Sequence, residues 1–317
     1  MKTERERRME YFDLHCDTAT ECYEKRLGLS ENGLHIDLKK TKRFDCWAQV
    51  FAVFIRDELR GEAAFHYFQA VVKNLKEKLA EEKESGAPAL CRDGRELERA
   101  RSGGRNMALL SIEGAAALGG ELSNLAKTRE EGVRMITLTW NGPNELGDGC
   151  MTPSAEGLSR FGKEVVLEMG ELGMTVDVSH LSEKGFWDVA RLIQGPFVAT
   201  HSDSKRITDH PRNLTDDQFR EIAGRGGVVG LNLFSEFTGG GGTVDDLLRH
   251  ADRFLNLGGE KAVAVGADLD GCRLEAEVRG IGDMGLLYEA MRASFGEKLA
   301  DDIFFNNAYR FFTQNLK

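Results

Sequence analysis

His15 and Asp17 stand two residues apart in "FDLHCDT", at the end of an apolar run that reads as a strand. Residues i and i+2 of a strand share a side, so the imidazole and the carboxylate are expected to converge on one point. A neutral nitrogen beside an anionic oxygen suits a hard-to-borderline divalent cation. Further donors of the same kind follow: Glu113 in "SIEG", His180 in "DVSH", His201 in "ATHS", and Asp268 with Asp270 in "GADLDG". Taken singly, each has an ordinary structural reading as a turn former, a helix N-cap acid or a hydrogen-bonded histidine. Together they are three of the seven histidines and four carboxylates, all at the same end of successive strand candidates. One tetrahedral zinc does not need so many ligands. Two ions sharing a carboxylate would use them, with Glu113 as the bridge, His15 and Asp17 on one ion, and His180 and His201 on the other. Such a pair lowers the pKa of bound water and makes a nucleophile for a carbonyl carbon. His35, His66, His210 and His250 fall in loops or helix patterns and read as structural. Cys16 is expected on the opposite strand face, as packing.

These donors must be positioned by a repeated strand–helix alternation. Apolar, β-branched runs occur at 11–17, 46–55, 107–114, 133–140, 174–180, 196–202, 227–234 and 262–271. Helix-like segments lie between them at 62–84, 121–131, 157–172, 182–193, 215–225 and 243–257, and two more are expected from about 284 to 316. Ser182 and Thr215 have the sequence context of N-caps. Eight nearly continuous apolar strands alternating with helices predict a parallel sheet covered on both faces, closed into a single (β/α)8 TIM-type barrel with extra C-terminal helices. Catalytic groups of such a barrel come from the C-terminal strand ends. Neither glycine-rich phosphate loop of a doubly wound sheet occurs after an early strand. "GGGG" at 239–242 reads as a loop. The whole of 1–317 is read as one domain.

Composition agrees. Of 317 residues, 41% are apolar and 30% charged, and the net charge of −10 makes a nucleic-acid partner a poor fit. The basic opening "MKTERERRME" is not followed by the apolar segment of a secretory signal, and no run is long enough to span a membrane. The six cysteines form no CxxC pair and read as reduced thiols of a cytoplasmic protein.

With "DLHCD", "SIEG", "DVSH", the 21-residue step to "THS", "HPRN" and "GADLDG" in view, the chain resembles the membrane (renal) dipeptidase family, peptidase M19, of the amidohydrolase superfamily over essentially its whole length. The resemblance implies a distorted (β/α)8 barrel with two Zn2+ per chain bridged by Glu113. His15 and Asp17 would hold one zinc, and His180 with His201 the other. It places Asp268 as the acid/base and Arg212, in "DHPRN", on the carboxylate of a dipeptide substrate. The expected activity is hydrolysis of dipeptides, including those with a D-residue at the C-terminal position, by a hydroxide bridging the metals. A homodimer is also a family expectation.

One position departs. Animal members carry a histidine directly after "LT" at the end of strand four, where it contacts substrate. This chain has Trp140 there, followed by Asn141, whose amide is a candidate replacement donor to the oxyanion. The long glycine-rich loop 141–162 is expected to cover the site. Two alternative functions fit the same residues: hydrolysis of an N-acyl amino acid or lactone on the same metals, or a metal-stabilised binding protein without turnover.

Overall fold

The computed structural model describes residues 9–274 and 277–317; the basic opening segment, residues 1–8, lies outside them. Eight strands form one parallel sheet: β1 Glu10–Cys16, β2 Cys46–Phe54, β3 Ala89–Leu90, β4 Met107–Glu113, β5 Val133–Thr137, β6 Thr175–Asp177, β7 Val229–Leu231 and β8 Val263–Val265. They run in the order β6-β5-β4-β2-β1-β8-β7, with β3 paired to the start of β4. The curled sheet is closed between β6 and β7 by single bridges, Asp177 to Val198 and Ala199 to Val229. The TIM-type barrel expected from the alternation is the fold.

The segment expected as a sixth strand, 196–202, is therefore corrected to a pair of bridges. Thr200 takes its amide out of the ladder and donates it to Asp177 Oδ1 at 3.0 Å. Its carbonyl presses into the space left by two glycines, where a Cβ on Gly230 or Gly266 would lie 1.9 or 1.7 Å from Thr200 O. That close approach draws β7 and β8 against the segment, and only glycine permits it. The short β3 was not expected.

Helices cover the outside of the sheet. The longest, Gly61–Glu81, buries Phe65, Phe68, Val71, Val72, Leu75 and Leu79 on one stripe, as the 3.6-residue period requires. Thr215 caps Asp216–Gly224 with a full capping box to Gln218, and Ser182 caps Glu183–Leu192 through Gly185 N. Inside the barrel lie Phe12, Leu14, Ala48, Val50, Leu109, Met135 and Val198, and the final helix, Asn307–Asn315, plugs this interior from below. Phe312 stacks on Phe12 with centroids 5.5 Å apart. Among the described residues no helix is long and apolar enough to cross a membrane.

β1 carries an irregularity that matters for the site. Phe12 and Leu14 face the interior while Tyr11 and Cys16 pack under the helices. Strict alternation would send His15 outward with Asp13. Instead the register against β2 shifts between Asp13 and Cys16. The extra residue turns His15 into the barrel, as bulges beside active sites do. The amides freed by the bulge are taken by buried Asp13, whose Oδ1 accepts from His15 N at 3.2 Å and from Ala267 N at 3.0 Å.

Candidate active site

Six polar side chains meet at the C-terminal mouth of the barrel, all buried: His15, Asp17, Glu113, His180, His201 and Asp268. Glu113 stands at the centre. Its Oε1 lies 2.9 Å from His180 Nε2 and 3.4 Å from His201 Nε2, and its Oε2 lies 3.4 Å from His15 Nε2. His15 Nε2 is also 3.8 Å from both Asp17 Oδ1 and Asp268 Oδ1. Donor atoms of His15, Glu113 and His201 fall within 4.8 Å of one another, and so do those of His15, Asp17 and Asp268. His15 and Asp17 do converge, but by the bulge and a turn rather than by strand pleat: Asp17 follows the end of β1 and precedes the helix Thr18–Lys25.

Second partners fix the tautomers. Asn141 Oδ1 accepts from His180 Nδ1 at 2.9 Å. Thr200 gives its hydroxyl proton to Asp177 Oδ2 at 2.6 Å and so accepts from His201 Nδ1 at 2.7 Å. Both Nε2 atoms therefore present lone pairs, only 2.9 Å apart, which is repulsive unless a cation lies between or beside them. His15 Nε2 and Asp17 Oδ1 are buried with no hydrogen-bond partner. Gly271 leaves the space between the carboxylates, since a Cβ there would sit 2.3 Å from both Asp17 Oδ2 and Asp268 Oδ1. Three of the five non-glycine residues with positive φ among those described, His180, Asp268 and Asp270, also cluster here, a concentration of backbone strain typical of functional sites.

Above the cluster opens a cavity of about 620 Å3 lined by Asp17, Glu113 and His180 at its floor and by Phe54, Trp140, Asn141, Phe234, Phe237 and Arg273 among its walls. Arg212 is not on this wall. It is buried beside it, lining a smaller chamber of about 270 Å3 that shares His180. Its Nη1 donates to Ser202 Oγ at 2.9 Å and its Nη2 to His201 O at 2.8 Å, while Nε has no partner.

A sequence model of the membrane dipeptidase family, peptidase family M19, matches residues 3–316. The chain belongs to this family. It is 35% identical over 230 residues to the "Uncharacterized protein in pqqA 5'region" of Klebsiella pneumoniae, covering 69% of this chain and 85% of that one. The M19 fold is matched by the crystal structure of dipeptidase AC, a metallo peptidase of the same family, at TM-score 0.90 and 29% identity, over 98% of this chain and 99% of that one. A metallo peptidase from Rhodobacter sphaeroides, liganded with a phosphinate mimic of the dipeptide L-Ala-D-Ala, matches at TM-score 0.89 and 28% identity, over 98% and 100%. The protein is thus a metallo-dipeptidase of family M19.

The electrostatics of the M19 cluster suit a metal. Burial works against a charge on His15, yet Glu113, Asp17 and Asp268 outweigh it and raise its pKa to about 10. Burial and the Glu113 charge push Asp17 up, and burial, less the opposing pull of His15, pushes Asp268 up. Burial lowers His180 to about 4 and holds His201 well below the usual range. The site demands positive charge, and a divalent ion supplies it where a proton on His15 otherwise must.

Several residues that shape the site read as structural in the sequence or do not stand out in it. Asn232 Nδ2 donates to Asp268 Oδ2 at 3.1 Å. His35, read as a loop histidine, accepts from Asp270 N at 2.9 Å and braces the turn after Asp268. His210 accepts from Arg212 N at 3.1 Å. Phe237 places its ring 5.4 Å from the Arg212 guanidinium. Asn232, His35 and Phe237 each pair with a residue distant in sequence, whereas His210 stands in "HPRN" beside the Arg212 that it holds. The loop 141–162 does not roof the cavity as expected. It folds against His180, with Cys150 N donating to His180 O at 2.7 Å, and leaves part of the cover to Phe234–Phe237.

Proposed function

We propose that this M19 chain is a zinc-dependent dipeptidase holding two ions per chain, with His15 and Asp17 on one, His180 and His201 on the other, and Glu113 between them. The observation that carries this reading is the split of the Glu113 carboxylate, one oxygen toward His180 and His201 and the other toward His15. Bound there, the ions would activate a water and polarise the scissile carbonyl. Asp268, held at Oδ2 by Asn232, takes the proton of the attacking water on its free oxygen and delivers it to the leaving amine. Arg212 attracts the C-terminal carboxylate, which favours free dipeptides over amidated or longer peptides. Its two Nη atoms already hold Ser202 and His201, so the clamp uses the remaining donors. Acceptance of a D-residue at the second position is supported by the L-Ala-D-Ala mimic bound to the Rhodobacter sphaeroides relative. A cytoplasmic location belongs to the same proposal, supported by six cysteines that are all free thiols.

The test is hydrolysis of L-Xaa–D-Xaa and L-Xaa–L-Xaa dipeptides, their C-terminal amides, N-acyl amino acids and lactones by zinc-loaded protein. Turnover of free dipeptides, loss with the amides, and zinc approaching two per chain are the expected results. Saturation at one ion rejects the bridged pair. Faster turnover of N-acyl amino acids or lactones replaces the substrate class.

A further inference from the structure

We propose that Phe54 and Trp140 form the side-chain wall for the N-terminal residue of the substrate, so that the enzyme prefers dipeptides whose first residue is large and apolar; this rests on the dipeptidase reading above. The cavity holds four aromatic rings in two edge-to-face pairs. Phe54 and Trp140 have centroids 5.0 Å apart at 71°, and Phe234 and Phe237 have centroids 4.9 Å apart at 82°.

Their places follow from the strand order. Around the mouth the strand ends run β1, β2, β4, β5, β6, the Val198–Ala199 segment, β7 and β8. Phe54 ends β2 and Trp140 follows β5, so this pair flanks the end of β4, where Glu113 stands. Phe234 and Phe237 follow β7, four places further round a ring of eight, and so face the first pair across the cluster. The two walls leave a slot with Glu113 and His180 at its floor.

Arg212 breaks the symmetry. It belongs to the loop after the Val198–Ala199 segment, and its guanidinium lies against Phe237. The substrate carboxylate is drawn to that side, which directs the C-terminal residue toward Phe234 and Phe237. The N-terminal residue then points the other way, and its side chain meets Phe54 and Trp140. Both of these rings are only half-buried, leaving apolar surface for a side chain to cover. Trp140 also leans toward His180, with centroids 6.4 Å apart, so the wall begins beside the scissile bond. A small first residue leaves the aromatic faces wet. A large apolar one dries them.

The experiment compares kcat/KM of the zinc-loaded full chain for Phe–Ala, Leu–Ala, Ala–Ala and Ala–Phe. Phe–Ala and Leu–Ala should exceed Ala–Ala by roughly tenfold or more, the discrimination that a few methylenes provide in an apolar pocket. Trp140→Ala and Phe54→Ala should bring the Phe–Ala to Ala–Ala ratio toward one, and Trp140→Phe should retain most of it. Phe237→Ala should instead alter the Ala–Phe to Ala–Ala ratio. Equal rates for Phe–Ala and Ala–Ala in the wild type overturn the inference while leaving the dipeptidase reading intact. So does a ratio that survives both alanine variants. If an alanine variant fails to fold, the wild-type series and Trp140→Phe decide. Absence of turnover for every dipeptide removes the dipeptidase reading and this inference with it.

Discussion

Asn141 Oδ1 lies 2.9 Å from His180 Nδ1, and this contact sets which ring nitrogen of His180 faces the barrel axis. An amide oxygen only accepts, so Nδ1 carries the proton and Nε2 is left as a donor of electrons toward Glu113 and His201. Partners of this kind change metal affinity by roughly 10–100-fold. Asn141→Ala is therefore expected to weaken zinc binding by about that factor, read by competition with a chelator. Asn141→Asp keeps the acceptor but loses the amide N–H groups. If that variant keeps its zinc and loses kcat by roughly 10²-fold, the Asn141 amide nitrogen is the oxyanion donor.

Asp268 should matter for chemistry more than for metal retention. Asp268→Asn preserves shape but cannot take a proton, and kcat is expected to fall by roughly 10²–10⁴-fold with zinc content nearly unchanged. Asn232→Ala, which releases Asp268 Oδ2, should cost about tenfold, comparable to one hydrogen bond to a charged group. Zinc lost in step with activity in Asp268→Asn would make Asp268 a ligand, as its distance of 3.8 Å from His15 Nε2 allows.

Gly271 should be intolerant of even one methyl group. A Cβ there meets carboxylate oxygens of Asp17 and Asp268 at 2.3 Å, and both side chains are buried, with Asp268 also held by Asn232. Gly271→Ala is expected to abolish most zinc binding at one ion while the far-UV circular dichroism stays that of the wild type. A variant with full zinc occupancy would show that the turn yields freely.

Away from the site, His250 gives stability a dependence on pH. Burial lowers its pKa from 6.5 to about 4. Its Nδ1 accepts from Ser204 N at 3.0 Å and its Nε2 donates to Thr238 O at 3.2 Å. Below about 6.5 the unfolded chain takes up a proton that the folded chain refuses, so stability is expected to fall as pH drops from about 6.5 to about 4. His250→Gln should be less stable at neutral pH by roughly 1–3 kcal/mol. Its loss on acidification should be shallower, by up to about 1.4 kcal/mol per pH unit. Urea unfolding across this range compares the slopes; parallel curves would remove His250 as the titrating group.

The metal-ligand candidates were legible because Glu113, His180 and His201 are metal-binding residue types that each close an apolar run, and the barrel followed from counting those runs. What local pattern could not express is the contribution of distant partners. Nothing near His15 announces a bulge, because the side chain that stabilises it, Asp13, draws on Ala267 N from the other end of the chain. The segment 196–202 has strand-like residues, yet Asp177 and the glycines of β7 and β8 decide how little of it pairs. Asn141 was readable as a polar residue near substrate, but its bond to His180 depends on a loop closing back on strand six. Arg212 was expected at the substrate; it lines the smaller chamber that shares His180 with the main cavity, and its bonds to Ser202 and the His201 carbonyl are partners that "DHPRN" does not announce.

The stacking of Phe312 beneath Phe12 also has a consequence for how the molecule is made. The first strand waits for the last helix. β1 is hydrogen-bonded on one side to β2 and on the other to β8, and its apolar face is sealed by residues near the carboxyl terminus. On the ribosome Phe12 and Leu14 emerge long before Phe312 and the rest of the helix Asn307–Asn315 that covers them. Closure of the ring is therefore a late, long-range event, slow in the way that high contact order makes folding slow. Until that helix arrives β1 lacks its cover, an exposure of apolar surface of the kind that makes incompletely folded chains prone to aggregate.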